Sequence, residues 1–133
     1  MATSLPELTD FNRFFWTSGA DGRLRIQRCA GCATWVHPPS AICPHCLGRE
    51  LAPQVVSGRA TVEAVTVNHQ AWTPDLQVPY AIVRVSLDED PGVRLTSRMA
   101  GTTPESVAVA IGQRVKVCFV SLDDVYLPCF ELA

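Results

Sequence analysis

Apolar and polar residues alternate along most of the chain after residue 53, which is the pattern of half-buried β-strands. The alternation predicts five strands, at residues 58–68, 80–87, 93–99, 114–120 and 126–132. In the first of these strands the apolar positions shift phase near Ala64, which predicts a β-bulge or a bend between two sheets. The stretch Thr103–Val107, with Thr103 as N-cap, predicts one helical turn between the third and fourth strands. We therefore predict a Greek-key barrel of the OB type over residues 53–133.

The N-terminal 20 residues have a helical pattern instead. Ser4 is suited to cap a helix with Glu7 as its capping-box partner, and Gly19 is suited to end it. The spacing of the apolar residues predicts an amphipathic helix of roughly four turns over residues 1–20. Four aromatic side chains lie close together on it: Phe11, Phe14, Phe15 and Trp16. Two interpretations remain open, because such a helix either covers the core of its own domain or docks on a partner.

Two CxxC pairs lie in the intervening residues 21–52, at Cys29-Ala-Gly-Cys32 and Cys43-Pro-His-Cys46. Short alternating stretches precede and follow the first pair, so that strand and knuckle follow one another as in a zinc ribbon. Four thiolates at this spacing predict one structural Zn²⁺ per chain, since a complete Cys₄ set leaves no position open for a substrate. The alternatives are an iron site, a redox dithiol, a site that has lost its metal, or a histidine (His37 or His45) in place of one cysteine.

Composition and charge exclude several classes of protein. With 47% hydrophobic and 18% charged residues and a net charge of −2, the chain is an ordinary globular protein. Its longest apolar runs, such as Val107–Ile111, are too short to span a bilayer. The first residues lack the basic and apolar regions of a secretory signal, which favours metal binding over disulfides for the six cysteines. We therefore expect a cytoplasmic protein that does not associate with membranes.

Candidate catalytic residues are few. His69 opens the loop after the first barrel strand and could be a general base, but no nucleophile or carboxylate stands at motif spacing from it. The acidic turns at 88–90 and 123–124 are interpreted as solvated loops. Cys118 and Cys129 are interpreted as small buried residues, with a reactive or disulfide role as the alternative. The residues alone indicate no catalytic site, and a stand-alone enzyme that uses His69 is a minor hypothesis.

A zinc ribbon joined to an OB barrel first suggests nucleic-acid binding. OB folds bind single strands through aromatic residues on their second and third strands, inside a basic groove. The corresponding strands here contain Arg84, Arg94 and Arg98, but their one aromatic residue is Tyr80 at the edge. The pI of about 5.8 also argues against a nucleic-acid partner. The arginines could instead contact the phosphates of coenzyme A or acidic residues of a protein partner.

Several motifs follow one another in a distinctive order along nearly the whole chain. They are Phe11–Gly19, Gly22–Cys29, Cys32, Pro38-Pro39, Cys43-Pro-His-Cys46, Ser57-Gly-Arg-Ala-Thr-Val62, Pro79-Tyr80, Gly112 and Leu122-Asp-Asp124. This order resembles that of the acyl-CoA-associated zinc-ribbon/OB-fold proteins, a former domain of unknown function. One departure is Ala33, where the first knuckle of that family commonly has a glycine that eases a left-handed backbone. The resemblance implies a mainly β chain with an N-terminal helix, a rubredoxin-like zinc ribbon and a five-stranded OB-fold barrel.

The resemblance also implies a function. Proteins of this family are accessory subunits of thiolase-fold enzymes, and the catalytic residues belong to the thiolase-like chain. We therefore expect a chain that is inactive alone and forms a hetero-oligomer, such as a heterotetramer, with a sterol-carrier-type thiolase-like protein. The substrate of the complex would be a CoA thioester. The favoured reaction is retro-aldol cleavage of a steroid or lipid side-chain hydroxyacyl-CoA, with thiolase or acyltransferase chemistry as alternatives.

The residues that would serve this function fall into two groups. The expected partner contacts are Phe11, Phe14, Phe15, Trp16 and Trp72, because buried aromatic anchors dominate the energetics of protein interfaces. The expected CoA-proximal residues are His69, Arg84, Arg94 and Arg98. No nucleic acid is expected as a partner, and a single-stranded nucleic-acid-binding module is the alternative function.

Overall fold

The computed structural model describes residues 5–74 and 76–133, so the predicted cap Ser4 lies outside the described residues. The described residues contain eight strands: β1 (Arg25–Cys29), β2 (Trp35–Val36), β3 (Leu51–Val55), β4 (Arg59–Asn68), β5 (Tyr80–Leu87), β6 (Asp90–Arg98), β7 (Arg114–Leu122) and β8 (Val125–Leu132). They form a three-stranded sheet in the order β2-β1-β3 and a five-stranded sheet in the order β6-β5-β4-β7-β8. None of the helices in these ranges is both long and apolar enough to cross a membrane.

The five-stranded sheet curls until its two edges meet. The pairing of β4 with β5 shifts register between Val62 and Ala64, at the position where the sequence predicts a bulge. At the far edge, Met99 forms a parallel bridge with Phe130, and the Ala100 amide donates to the Phe130 carbonyl over 2.7 Å. The strand order and this closing contact confirm the predicted five-stranded OB fold.

The core lies inside the curled sheet and is built from the alternating apolar residues that the sequence indicates. Its buried members are Phe15, Leu24, Ile26, Val56, Ala60, Val62, Ala81, Val83, Val85, Leu87, Val93, Leu95, Met99, Val109, Val115 and Phe130. Burial of one such large side chain contributes about 1.5–3 kcal/mol. Phe15, Leu24 and Ile26 come from outside the barrel, so the N-terminal segment and the first ribbon strand share its core.

The N-terminal helix is much shorter than the predicted four turns. It comprises α1 (Arg13–Trp16) and a following 3₁₀ turn at Ser18–Asp21. Thr9 and Asn12 bond to each other's backbone, with Asn12 Oδ1 2.7 Å from the Thr9 amide, and the helix begins only after them. The Ser18 hydroxyl donates to the Phe14 carbonyl at 3.0 Å near the other end. Polar side chains that bond to nearby backbone compete with helical hydrogen bonds, which explains the short helix.

The 3₁₀ turn lies directly on the barrel. A Cβ atom at Gly19 would lie 2.6 Å from ring atoms of Phe119 and 2.6 Å from Cβ of Tyr126. The residue predicted to end the helix therefore has a second role, because only glycine permits this close approach.

The third ribbon strand, β3, is absent from the sequence-based prediction, which places ribbon strands only before and after the first CxxC pair. Its first residue is half-buried and the other four are exposed, so it has no apolar alternation to detect. It forms because β1 offers a free edge, with Gln27 opposite Pro53. The proline is tolerated because β3 is the outer strand of its sheet.

The predicted helical turn between β6 and β7 is confirmed as α2 (Pro104–Val107). The Ser106 amide donates to the Thr103 side-chain oxygen at 3.2 Å, so Thr103 is the N-cap that the sequence indicates.

Candidate metal centre and apolar groove

The four predicted ligands Cys29, Cys32, Cys43 and Cys46 converge at one end of the three-stranded sheet. Their Sγ atoms all lie within 4.8 Å of one another. The pairs Cys29–Cys46 and Cys32–Cys43 are both 3.6 Å apart. A tetrahedral Zn²⁺ with Zn–S bonds of about 2.3 Å needs sulfurs roughly 3.8 Å apart, so the arrangement fits a structural zinc ion.

Each CxxC pair forms a tight turn closed by the backbone. The Ala33 amide donates to the Cys29 carbonyl at 2.8 Å, and the Leu47 amide donates to the Cys43 carbonyl at 2.9 Å. Both donors adopt left-handed backbone conformations, with φ of 64° at Ala33 and 63° at Leu47. Ala33 therefore carries a Cβ atom in a left-handed backbone conformation, which glycine adopts with the least strain.

The four sulfurs shift one another's pKa values in opposite directions. The Thr34 hydroxyl lies 3.1 Å from the Cys32 sulfur and lowers the pKa of Cys32 to about 6. At Cys46 the Gly48 amide lowers the pKa, but the Cys32 and Cys29 sulfurs outweigh it and raise the pKa to about 12. Adjacent thiolates repel one another, so the four sulfurs can be ionised together only around a positive charge such as Zn²⁺.

The histidines considered as alternative ligands do not belong to this cluster. Among the described residues, the group that can hold a metal comprises the four cysteines alone. His37 packs against Phe15 with ring centroids 5.0 Å apart, and burial lowers its pKa. Its Nδ1 is buried and has no hydrogen-bond partner in the described part of the chain. The site therefore has four protein ligands and no open position for a substrate.

The aromatic residues of the N-terminal segment divide by exposure. Phe15 is 5% exposed and belongs to the core, and Phe14 and Trp16 are half-buried against it. Phe11 is 54% exposed, and Trp72 in the loop between β4 and β5 is 74% exposed. The sequence leaves two interpretations of this segment open, packing on the core of its own domain and docking on a partner, and core packing holds for Phe15. The exposed rings of Phe11 and Trp72 leave partner docking as a prediction.

The four residues predicted to lie near CoA are not gathered at one place. Arg94 Nε lies 2.8 Å and Arg84 Nε 3.8 Å from Glu63 Oε2. Arg98 instead lies over the Tyr80 ring, with its Cζ atom 4.2 Å from the ring centroid. His69 follows Asn68, which pairs with Tyr80, so it lies at the same end of the sheet as Arg98. Contact with CoA stays a prediction for these residues.

Cys118 and Cys129 face each other across β7 and β8. Burial, followed by the proximity of Cys129, raises the pKa of Cys118 to about 11. Burial likewise raises the pKa of Cys129. Both are therefore neutral thiols at physiological pH, and the thiolate is the reactive form. The interpretation as a small buried residue holds for Cys129, whereas Cys118 is half-buried.

A cavity of about 810 Å³ opens where the N-terminal segment, the ribbon and the barrel meet. We call it the apolar groove, and it is lined by Thr9, Phe11, Asn12, Phe15, Trp16, His37, Pro38, Pro39, Leu95, Thr96, Ser97, Arg98, Ala100, Gly101, Val120, Leu122, Leu127, Pro128, Cys129 and Phe130. The sequence does not reveal the groove, because these residues come from four separate stretches. The one hint in the sequence is Pro38-Pro39 between the two knuckles, because consecutive prolines favour the extended backbone that borders the groove.

Comparisons with known proteins match the chain in two consecutive parts. Residues 16–52 match a family model described as the rubredoxin-like zinc ribbon domain of ChsH2. Residues 53–120 match a model described as the C-terminal OB-fold domain of ChsH2.

Two solved structures are similar to the whole chain. A chain of a complex described as an Ltp2-ChsH2(DUF35) aldolase superposes with a TM-score of 0.83 at 30% identity, over 96% of this chain and 98% of that one. A protein of unknown function of the DUF35 family from Sulfolobus solfataricus superposes with a TM-score of 0.62 at 16% identity, over 90% and 82% of the chains. The second likeness concerns the fold alone.

One curated relative is a probable enoyl-CoA hydratase alpha subunit from Thermomonospora curvata. It is 33% identical over 129 residues, which make up 96% of this chain. The aligned part is 39% of the relative, so the chain spans about two fifths of that protein's length.

Proposed function

Because the chain belongs to the ChsH2 family of zinc-ribbon and OB-fold proteins, we propose that it is a non-catalytic accessory subunit of an enzyme complex that processes acyl-CoA thioesters. The main support is its likeness, over nearly its whole length, to a chain of the Ltp2-ChsH2(DUF35) aldolase. The hydratase name of the curated relative also concerns a CoA thioester. The partner would be a thiolase-fold protein, and the reaction a retro-aldol cleavage of a steroid or lipid side-chain hydroxyacyl-CoA.

The metal centre supports a role other than catalysis. Cys29, Cys32, Cys43 and Cys46 would hold a zinc ion whose contribution is binding energy that folds the ribbon. With four sulfur ligands the ion has no position for a substrate oxygen or a water molecule. The zinc would therefore hold the ribbon in place beside the barrel, while the reacting groups belong to the partner.

Exposed aromatic side chains indicate where the partner would dock. Phe11 and Trp72 expose 54% and 74% of their surface, and exposed aromatic rings are the type of side chain that becomes an anchor at protein interfaces. Phe15 is buried and Phe14 and Trp16 are half-buried against the core, so these three would contact the partner through only part of their surfaces. Aromatic residues that become buried at an interface each cost about 2 kcal/mol or more when truncated.

Co-expression with a thiolase-fold protein encoded beside this chain tests the proposal. We expect the two proteins to co-purify in equal amounts, and hydroxyacyl-CoA cleavage by the complex but not by either chain alone. Phe11→Ala and Trp72→Ala should each weaken the complex about 30-fold, the equivalent of about 2 kcal/mol. Ile111→Ala is the control, because Ile111 is 69% exposed but belongs to neither candidate contact.

Two results would contradict the proposal. One is failure to bind any thiolase-fold protein while the chain retains a single-stranded oligonucleotide at physiological salt, which would favour the nucleic-acid-binding alternative. The other is turnover by the purified chain alone that is abolished in His69→Ala, which would favour the stand-alone enzyme.

A further inference from the structure

The apolar groove has the size and composition of a small-molecule site. Its volume of about 810 Å³ lies within the range of roughly 300–1,000 Å³ typical of ligand pockets. Its walls include Trp16 from the N-terminal segment and Val120, Leu122 and Leu127 from the β7–β8 hairpin. Such pockets combine apolar walls with a few polar groups that fix the orientation of the ligand.

Arg98 is the one permanently charged residue among those that line the groove. Its guanidinium is held over the Tyr80 ring at 4.2 Å. No described carboxylate pairs with it, whereas Arg94 lies 2.8 Å from Glu63. Placing a cation beside an apolar wall costs desolvation free energy, which attraction to a nearby anion would offset.

The titratable neighbours of Arg98 do not provide that anion. Cys129 also lines the groove, and burial raises the pKa of its thiol, so the sulfur is uncharged at neutral pH. His37 lies on the ribbon side, and burial lowers its pKa, so its ring is neutral. Among the described residues that line the groove, Arg98 is therefore the one charged group, and the walls around it are mostly apolar.

We propose that the apolar groove binds a carboxylic acid with an apolar body, with the carboxylate on the Arg98 guanidinium and the body against Trp16, Val120 and Leu127. A guanidinium offers a forked pair of donors that matches a carboxylate. One arginine is too little for coenzyme A, whose several phosphate charges need several cations. The other two candidate arginines, Arg84 and Arg94, are engaged by Glu63 and do not line the groove.

Binding of simple acids to the zinc-loaded chain of 133 residues tests this inference. Titration calorimetry with decanoate, and with cholate as a rigid ring-bodied acid, distinguishes a linear from a steroid-like body. Decanol is the control that lacks the charge. We expect saturable binding of one acid per chain, at least about tenfold tighter than decanol, since hydrogen bonds to charged groups are the stronger ones.

Three variants identify the groups responsible. Arg98→Gln should remove the preference for the acid over decanol, whereas Arg94→Gln, which changes an arginine outside the groove, should leave it intact. Leu127→Glu places a negative charge in the groove and should abolish binding of the acids. If Arg98→Gln fails to fold, Leu127→Glu still tests the site. Zinc content and thermal unfolding show whether each variant is folded.

Three results would overturn the inference: no saturable binding of either acid, equal binding of acid and alcohol, or an unchanged preference in folded Arg98→Gln. The outcome is separable from that of the proposed function, because these titrations need no partner. A chain that forms the thiolase-fold complex but binds neither acid would refute the carboxylate site alone.

Discussion

The zinc ribbon and the barrel bury very different amounts of apolar surface. Among the described residues, the barrel core comprises sixteen buried side chains. The buried cluster of the ribbon comprises Cys29, Val36 and Cys43, of which two are candidate metal ligands. One aliphatic side chain cannot offset the conformational entropy of ordering such a segment. The barrel is therefore stabilised by apolar burial, and the ribbon by its metal.

The two regions nevertheless share one strand. In β1, Ile26 is fully buried in the barrel core, whereas Cys29 belongs to the ribbon cluster. Between them, Gln27 exchanges two hydrogen bonds with the backbone of Ser40, at 2.9 and 2.8 Å. The shared strand explains how metal binding can fix the position of the ribbon on the barrel. Substitutions in each region test how far their stabilities are coupled.

The largest expected effect comes from Cys43→Ser, because Cys43 is fully buried and is one of the four sulfur ligands. We expect one zinc per chain in the native protein and loss of the metal in the variant. The ribbon should then unfold and the protein aggregate, since structural zinc binding contributes on the order of 10 kcal/mol. Elemental analysis and size-exclusion chromatography measure both effects.

Cys118→Ser is the matched control, because Cys118 lies on β7, outside the metal cluster. It should retain the zinc and remain in solution. A soluble, monodisperse and metal-free Cys43→Ser protein would contradict a structural role for the metal.

An intermediate effect is expected from Phe130→Ala in the barrel. Phe130 is fully buried and lies where β8 meets Met99. Its truncation should lower the free energy of unfolding by about 3–5 kcal/mol, from lost burial and the remaining cavity. Urea unfolding followed by tryptophan fluorescence measures this change.

The zinc content of the Phe130→Ala variant reports on the coupling between the two regions. We expect it to stay at one per chain under native conditions, because no ligand is altered. Loss of zinc from a folded Phe130→Ala protein would mean that the barrel core determines the metal geometry. It would contradict separate stabilisation of the barrel by apolar burial and of the ribbon by its metal.

The smallest effect is a gain in stability from Ala33→Gly. Ala33 has a φ of 64°, where a Cβ atom is disfavoured, so glycine should stabilise the first knuckle by roughly 1 kcal/mol. The midpoint of chelator-induced zinc release should shift upward accordingly. Ala30→Gly, in the same knuckle but without a positive φ, should bring no gain, and an equal gain there would exclude relief of backbone strain as the cause.

Sequence reasoning succeeded where one local pattern decides the structure. The alternation of β5 predicts that Ala81, Val83, Val85 and Leu87 face inward, and all four are at most 2% exposed. It failed for β3 because that strand is mostly exposed and forms only by pairing with β1. It overestimated the N-terminal helix because apolar spacing does not register the competing side-chain bonds, such as that of Asn12 to the Thr9 amide.

By itself, the sequence determined the barrel strands, the bulge near Ala64 and the four metal ligands, since each follows from periodicity or spacing within a short stretch. Only the tertiary structure decided which aromatic residues are exposed, and that Arg98, unlike Arg84 and Arg94, has no carboxylate partner among the described residues. Phe11 and Phe15 look alike in the sequence, yet one is exposed and the other is buried in the core. Their difference, like the groove around Arg98, depends on contacts between segments far apart in the chain, which no local pattern encodes.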